Sequence, residues 1–328
     1  MIDLVLYHWP MASKTKSLTK AQRSINVSVP AGTSYVDLAQ CLSVVNRKLF
    51  KQGMCYGVES IEFFLPATTS VDLVRLTAAT AGDTWSVHNA HVKGHALWNE
   101  MNALVLEDNP SVRQTWADYK VFLDGSHRNA GAAANLYPLD GDQTPYLAAQ
   151  WEYSDYVLPQ HTVDPATGLP LVADQTNCHL VGPDLGGPGA YASVGLVAAY
   201  QESRTTVRPL NTLPGFQDSF FNLLTDSGSQ EPELAAVILA EGNNPPYSQD
   251  EYPGGPVNAP TVVMQEFSAA TIGSPIGMLT SFVAECGLIR LQNAAQLAGV
   301  TVDSVPLVAR INLMPGTYKG VAAIPMGQ

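Results

Sequence analysis

The chain has 328 residues, of which 46% are hydrophobic and 14% are charged. This composition excludes a disordered chain, and the length suits two domains of about 150 residues each. The net charge of −12 is unevenly distributed, because residues 1–51 carry seven basic and two acidic side chains. That asymmetry predicts a basic N-terminal arm that meets phosphate, in nucleic acid or in lipid headgroups.

The sequence contains no apolar run of the 18–20 residues that a membrane-spanning helix needs. Residues 1–10 lack the basic start of a signal peptide. The cysteines are scattered and form no C-x-x-C pair, which predicts reduced, buried thiols in a cytosolic protein; they are Cys41, Cys55, Cys178 and Cys286. We therefore expect a soluble protein.

The first elements follow from hydrophobic periodicity. The predicted arm, residues 1–23, contains the cations Lys14, Lys16, Lys20 and Arg23. Residues 24–30 alternate apolar and polar side chains, which predicts a strand. A helix is predicted to begin near Ser34 and Asp37 and to end before Gly53. Two further strands and a helix are predicted next, at residues 57–65, 71–76 and 90–106.

Residues 119–154 resemble residues 237–268. Each segment combines a strand, an acidic residue followed by glycine, a loop closed by Tyr-Pro and a second strand. The matching pairs are Asp124-Gly125 with Glu241-Gly242, Tyr137-Pro138 with Tyr252-Pro253, and Gln150 with Gln265. The similarity predicts an internal duplication, with one sandwich in residues 24–160, a linker at 161–183 and a second sandwich in 184–328.

The second half is predicted to begin with a strand at residues 192–200. Ser274-Pro275 predicts the start of a helix that runs through Leu279, Val283 and Cys286. A strand is predicted at residues 305–314. Short strands with few helices and long loops predict a mainly β fold of two antiparallel sandwiches, and exclude a regularly alternating parallel α/β sheet.

Three histidines form the sharpest candidate for chemistry. In a helix, His88, His91 and His95 share one face and present three nitrogens to a zinc ion. The segment is not a metalloprotease signature, because Val92 stands where H-E-x-x-H requires Glu. We expect a polar structural role for these side chains and treat them only as candidate metal ligands.

Other candidate motifs are incomplete. Asp140 and Asp142 could hold calcium, but the bidentate Glu of an EF-hand loop is missing, so we expect a plain turn. The glycine-rich residues 182–189 lack Gly-Lys-Ser/Thr, and their prolines remove N–H groups that a phosphate would need. We identify no catalytic residue, and we expect no cofactor.

Two copies of a strand-rich unit, few charges and no catalytic signature form a specific combination. It resembles the double jelly-roll major capsid proteins of tailless icosahedral viruses, a lineage that includes adenovirus hexon and lipid-containing bacteriophages. The resemblance is architectural and depends on residues 119–154 and 237–268. It implies two tandem eight-stranded jelly rolls.

The same resemblance implies a homotrimer that forms a pseudo-hexagonal capsomer of a virion shell assembled in the host cytoplasm. Implied partners are further copies of the chain, minor capsid or penton proteins, and an internal membrane or genome. The inner contact is expected at Lys14, Lys16, Lys20 and Arg23. No small-molecule substrate and no enzymatic activity are expected.

Two other classes of protein remain open on the residues alone. A carbohydrate-binding or adhesive β-sandwich would expose clustered aromatic side chains on a flat face. A metalloenzyme on a β scaffold would use the histidines as ligands.

Overall fold

The computed structural model describes residues 20–65, 71–108, 110–112, 118–147, 150–158, 174–186, 192–205 and 262–327. Within these residues the fold is mainly β, as predicted. The helices are α1 (Leu38–Asn46), α2 (Trp85–Asp108), α3 (Gly125–Ala130) and α4 (Leu196–Thr205), with short 3-10 turns at Pro110–Val112, Ala132–Ala134 and Glu285–Gly287.

The described strands, in chain order, are β1 (Ser24–Val29), β2 (Gly32–Asp37), β3 (Met54–Phe64), β4 (Leu73–Thr80), β5 (Phe122–Asp124), β6 (Asp155–Leu158), β7 (Asp174–Val181), β8 (Ser193–Gly195), β9 (Val263–Thr271), β10 (Ile276–Leu279), β11 (Phe282–Ala284), β12 (Leu288–Leu297), β13 (Val300–Val302), β14 (Leu307–Leu313), β15 (Pro315–Tyr318) and β16 (Ala323–Pro325).

Two antiparallel sheets form the main body. The first has the order β1-β14-β3-β10, and β11 and β16 also pair with β3. The second has the order β13-β12-β4-β9, and β2 also pairs with β12. Each sheet therefore combines strands that precede residue 81 with strands that follow residue 262.

The strand order defines the connectivity. Taking the eight main strands, one sheet reads β1-β14-β3-β10 and the other β2-β12-β4-β9. The first strand lies beside the last, and the chain crosses between the two sheets at nearly every connection. This is the order of one eight-stranded jelly roll, a double sheet of two Greek keys.

Alternation of side chains places the core between the sheets. Ile25, Val27 and Val29 of β1 are buried, whereas Ser24 and Ser28 are exposed. The inward residues of β14 alternate in the same way; they are Leu307, Ala309, Ile311 and Leu313. Full burial of a large aliphatic side chain contributes roughly 1.5–3 kcal/mol, so this apolar core is the main source of stability.

A second unit is inserted between β4 and β9. Its sheet has the order β5-β7-β6, with β8 also on β7, and both β5 and β8 run parallel to β7. Helices α2 and α4 pack against each other and against β7. A separate apolar cluster fills this unit and also includes Tyr35 and Cys55 from the sandwich strands, so the two units share a packed boundary.

Several predicted elements are confirmed. They are the strands predicted at residues 24–30, 57–65, 71–76 and 305–314, and the helix predicted at 90–106. The first predicted helix is also present but shorter than predicted, because it spans Leu38–Asn46 and the residues before it form β2. The N-cap of α1 is Asp37, whose side chain accepts a hydrogen bond from the Gln40 N–H; Ser34 lies in β2.

Two predicted elements are wrong. The helix predicted after Ser274-Pro275 is replaced by β10, β11 and a 3-10 turn. Leu279 and Val283 are spaced as in a helix, but burial alternates along both strands, so the period is two. The strand predicted at residues 192–200 ends at Gly195, where α4 follows directly.

The predicted tandem arrangement differs from the described sheets. Residues 119–154 lie in the inserted unit, whereas Gln265 lies in β9 of the sandwich, so these parts of the proposed repeat occupy different environments. Residues 206–261, which hold most of the second copy, are outside the described residues. The predicted linker 161–183 contains β7, the central strand of the inserted sheet. The described strands thus form one sandwich from both predicted sandwich segments.

Candidate functional site

A buried carboxylate lies where the inserted unit meets the sandwich. Asp37 ends β2 and is fully buried. One carboxylate oxygen caps α1, and the other accepts hydrogen bonds from Gln52 Nε2 (2.8 Å) and Trp151 Nε1 (2.9 Å). Burial raises the pKa of Asp37 to about 6, although these hydrogen bonds oppose the shift. The bonds connect the first helix to the loop before β6.

The hydrogen bonds continue into the inserted unit. Asn135 Nδ2 donates to the Tyr153 hydroxyl and to Gln40 Oε1, both at 2.8 Å. His127 Nδ1 accepts from the Leu123 N–H, so Nε2 carries the proton that is donated to Asn135 Oδ1 at 2.7 Å. Burial lowers the pKa of His127 to about 4. These side chains are all buried, and a neutral, inaccessible imidazole holds structure rather than substrate.

The three candidate histidines share the face of α2 that was predicted, but each has its own environment. His88 Nε2 lies 2.8 Å from Asp83, and His88 Nδ1 accepts from the Gly327 N–H at 3.1 Å. His95 stacks on Tyr119, with ring centroids 5.2 Å apart. Among the described residues, no group of three or more His, Cys, Asp or Glu side chains is placed to hold a metal ion.

His91 is the buried member of the set. Its side chain is 2% exposed, and neither ring nitrogen has a hydrogen-bond partner within the described part of the chain. Burial lowers the pKa of His91 to about 3, and the neighbouring His95 and His88 act in the same direction. The imidazole is therefore neutral at physiological pH.

The carboxylates considered for calcium are used by the fold. Asp140 Oδ1 accepts from the N–H groups of Asp142 (2.9 Å) and Thr144 (2.8 Å), which closes its own turn. Asp124 caps α3 and pairs with Arg290 at 3.4 Å. The predicted burial of the cysteines is confirmed, since all four are buried, and none is bonded to another.

The start of the described chain is attached to the end of α1. The Gln22 N–H donates to Asn46 Oδ1 at 2.8 Å, and Asn46 Nδ2 donates back to the Gln22 carbonyl at 3.1 Å. Lys20 is exposed and Arg23 is half-buried at this point, whereas Lys14 and Lys16 lie outside the described residues. The two bonds fix where the basic arm leaves the sandwich.

Further cations lie beside that exit. Arg47 is the C-cap of α1 in the left-handed conformation, with φ of 53°, and Lys48 is exposed next to it. Lys319 Nζ donates to the Leu49 carbonyl and lies 5.3 Å from the centre of the Tyr318 ring. Partial burial lowers the pKa of Lys319, nearby Lys51 and Lys48 lower it further, and Asp118 opposes them. We call Arg47, Lys48, Lys51 and Lys319 the basic cluster.

An open groove of about 520 Å³ adjoins the basic cluster. Its walls come from α1 and from the segment just before β6. Arg47 and Lys48 form the charged side, and the Arg47 guanidinium lies 5.7 Å from the centre of the Tyr146 ring. The remaining surface is largely apolar and aromatic, and it includes Val44, Leu49, Tyr146 and Trp151. Cations beside an apolar aromatic wall suit a ligand with both phosphate and a ring.

The sequence predicted Lys48 and Lys51 in the last turn of the first helix, but that helix ends at Asn46 and both lysines follow it. The sequence did not predict the groove. Arg47 and Tyr146 come together only in the folded chain, because one follows α1 and the other precedes β6. The sequence predicted Asp37 near the start of the first helix. It did not predict that Asp37 is buried, because the burial involves Trp151 and Gln52, which are distant in the sequence.

Comparisons with protein-family models, with curated protein sequences and with solved structures find no match for this chain. No helix in the described ranges combines the length and the apolar character needed to cross a membrane. The site must therefore be interpreted from its own chemistry.

Proposed function

We propose that this chain is a structural major capsid protein of an icosahedral virus. The observation that carries the proposal is the jelly-roll strand order of the eight main strands in the described residues. That architecture is shared by viral capsid domains, lectins and cupins, so the fold alone does not decide among these three classes.

The interior of the sandwich favours the capsid class over a container for a ligand. Large apolar side chains such as Phe63, Ile61 and Leu76 fill the space between the sheets and are fully buried. A cupin-type enzyme needs metal ligands inside this barrel, and the candidate histidines lie on α2 in the inserted unit instead.

The basic arm supplies the second support. Its described part, residues 20–23, adjoins the end of α1 through the Gln22–Asn46 bonds. In a shell subunit such an arm faces the interior and contacts the genome or an internal membrane. The proposed partners are further copies of this chain, minor capsid or penton proteins, and that interior ligand, within a virion assembled in the host cytoplasm.

The pseudo-hexagonal capsomer needs two sandwiches in each of three subunits. The described residues form one, so the double jelly roll and the trimer remain part of the proposal. The proposed role requires that the chain assemble into a trimer or a larger shell, whether each subunit has one sandwich or two.

The test is the solution mass of the purified chain by light scattering, followed by electron microscopy. We expect stable trimers or larger closed particles. A monomer that persists at high concentration would overturn the proposal. A monomer that also bound an immobilised glycan would favour the carbohydrate-binding class instead.

A further inference from the structure

We infer that the groove between the end of α1 and the side chains of Tyr146 and Trp151 binds a nucleotide of single-stranded nucleic acid. The inference rests on the proposed capsid role and names the interior partner of that role. Arg47 and Lys48 would contact the phosphates, and the apolar wall that includes Tyr146 would contact the base.

The chemistry of the groove matches both halves of a nucleotide. Proteins that bind single strands combine a positive groove along the backbone with aromatic side chains on which bases stack. The groove volume of about 520 Å³ lies within the usual range of about 300–1,000 Å³ for small-ligand sites. Val44 and Leu49 add apolar surface on the side that α1 provides.

Further cations lie near the wall of the groove that α1 and Leu49 form. Lys319 Nζ donates to the Leu49 carbonyl, and repulsion from Lys51 contributes to the lowered pKa of Lys319. The Gln22–Asn46 bonds bring Lys20 and Arg23 to the same helix end. These cations outnumber the phosphates of one nucleotide, which favours a strand over a free nucleotide as the ligand.

The neighbouring carboxylates do not cancel this charge. Asp118 is the acid that acts on Lys319, and it also accepts a hydrogen bond from the Gln52 N–H at 3.2 Å. Asp37 lies beneath the groove, fully buried, with its oxygens bonded to Gln40, Gln52 and Trp151. The charged side chains that line the groove itself are Arg47 and Lys48.

The experiment measures fluorescence anisotropy of a labelled oligothymidine with the purified full-length chain over a range of salt. The double variant Arg47→Gln/Lys48→Gln should weaken binding about tenfold and reduce the salt slope by about 1.4, at about 0.7 per phosphate contact for single strands. The matched control Arg75→Gln/Arg310→Gln removes two cations from the sandwich sheets and should bind as the original chain does.

A second variant separates stacking from charge. Tyr146→Ala should weaken binding at least about fivefold, because stacking on one aromatic side chain contributes roughly 1–3 kcal/mol, and it should leave the salt slope unchanged. Unaltered binding by Arg47→Gln/Lys48→Gln would overturn the inference. So would equal affinity for duplex DNA with no effect of Tyr146→Ala, since the groove would then recognise phosphate alone.

Two further measurements identify which proposal fails. If Arg47→Gln/Lys48→Gln abolishes binding to anionic phosphatidylserine vesicles and leaves oligothymidine binding intact, the groove is a lipid contact and the inference is wrong. Light scattering of the same preparations tests the shell role separately. Closed particles with unaltered oligothymidine binding would retain the capsid proposal and remove only the nucleotide site.

Discussion

The indole nitrogen of Trp151 donates a hydrogen bond of 2.9 Å to the buried carboxylate of Asp37. The two residues belong to different parts of the fold, because Asp37 ends β2 of the sandwich and Trp151 precedes β6 of the inserted unit. The acceptor atom, Asp37 Oδ2, also accepts a hydrogen bond from Gln52 Nε2. One carboxylate thus joins the sandwich, the first helix and the insertion.

Replacing Asp37 with alanine should lower the free energy of unfolding by about 3 kcal/mol. The change removes the cap of α1, worth roughly 0.5–2 kcal/mol, and leaves the buried donors of Gln52 and Trp151 without an acceptor, at roughly 1–3 kcal/mol each. Urea unfolding measures the difference. The exposed Glu59 on β3 provides a matched control, and Glu59→Ala should change stability by less than about 0.5 kcal/mol. Equal effects of the two substitutions would contradict the assigned role of Asp37.

Replacing His91 with leucine should remove part of the acid sensitivity of the fold. The pKa of His91 is lowered from 6.5 to about 3 by burial, so between those values the unfolded chain binds a proton that the folded chain does not. This contribution to stability is complete above pH 6.5 and is lost as the pH falls towards 3. His91→Leu should flatten the slope by about 1.4 kcal/mol per pH unit between pH 6 and 4.

Unfolding curves at several pH values test that expectation. At pH 7 the leucine variant should be at least as stable as the original chain, because leucine removes two buried nitrogens without partners. His95→Leu is the comparison, since that ring is only half-buried. An unchanged slope for His91→Leu would show that the ring is accessible to protons in the folded state.

Local patterns were sufficient for many elements of the sandwich and insufficient for their arrangement. Alternation in β1 and the spacing of Leu38 and Leu42 in α1 predict those elements correctly, since both signals lie within a few neighbouring residues. The pairing of β3 with β14 and β10 depends on residues more than two hundred positions apart. No local pattern encodes such a contact, and shared turn residues therefore favoured an internal repeat.

In the candidate site, too, the sequence predicted what depends on neighbouring residues and missed what depends on distant ones. Helical spacing correctly put His91 and His95 on one face of α2, and their ring centroids are 6.0 Å apart. The sequence could not predict that His91 is buried, because its environment comes from Tyr119 and Gly53 in other elements. The groove is likewise formed by Arg47 and Tyr146, which are far apart in the chain.

Shortening Met326 should make the thiol of Cys55 reactive. Met326 is buried with its sulfur 3.1 Å from Cys55 Sγ, and its N–H donates to the Gly53 carbonyl. Burial raises the pKa of Cys55 to about 12, so the original chain should react slowly with an aromatic disulfide reagent at pH 8. Met326→Ala should accelerate modification of Cys55 and cost about 2 kcal/mol.

The position of the modified thiol, read by peptide mass, decides this prediction. Cys41 provides the internal control, because it lies in the sandwich core away from the C-terminal strand and burial also raises its pKa. Modification of Cys55 and Cys41 at equal rates would mean that the whole sandwich opens. That result would contradict the prediction that the Met326 side chain alone shields Cys55 from the reagent.

Deleting residues 11–20 should leave the sandwich folded and impair assembly on nucleic acid or anionic lipid. The deletion retains Gln22 with its two bonds to Asn46, and Arg23, whose carbonyl accepts from the Leu313 N–H. It removes Lys14, Lys16 and Lys20, so it lowers the phosphate attraction of the arm without altering β1. Unfolding curves should be unchanged, and light scattering should detect fewer large particles when oligonucleotide or anionic vesicles are added. A full-length variant with glutamine at these three lysines controls for the length of the arm. If it assembles as poorly as the deletion variant, the charge is the cause. If both variants assemble as well as the intact chain, the proposed role of the arm is wrong.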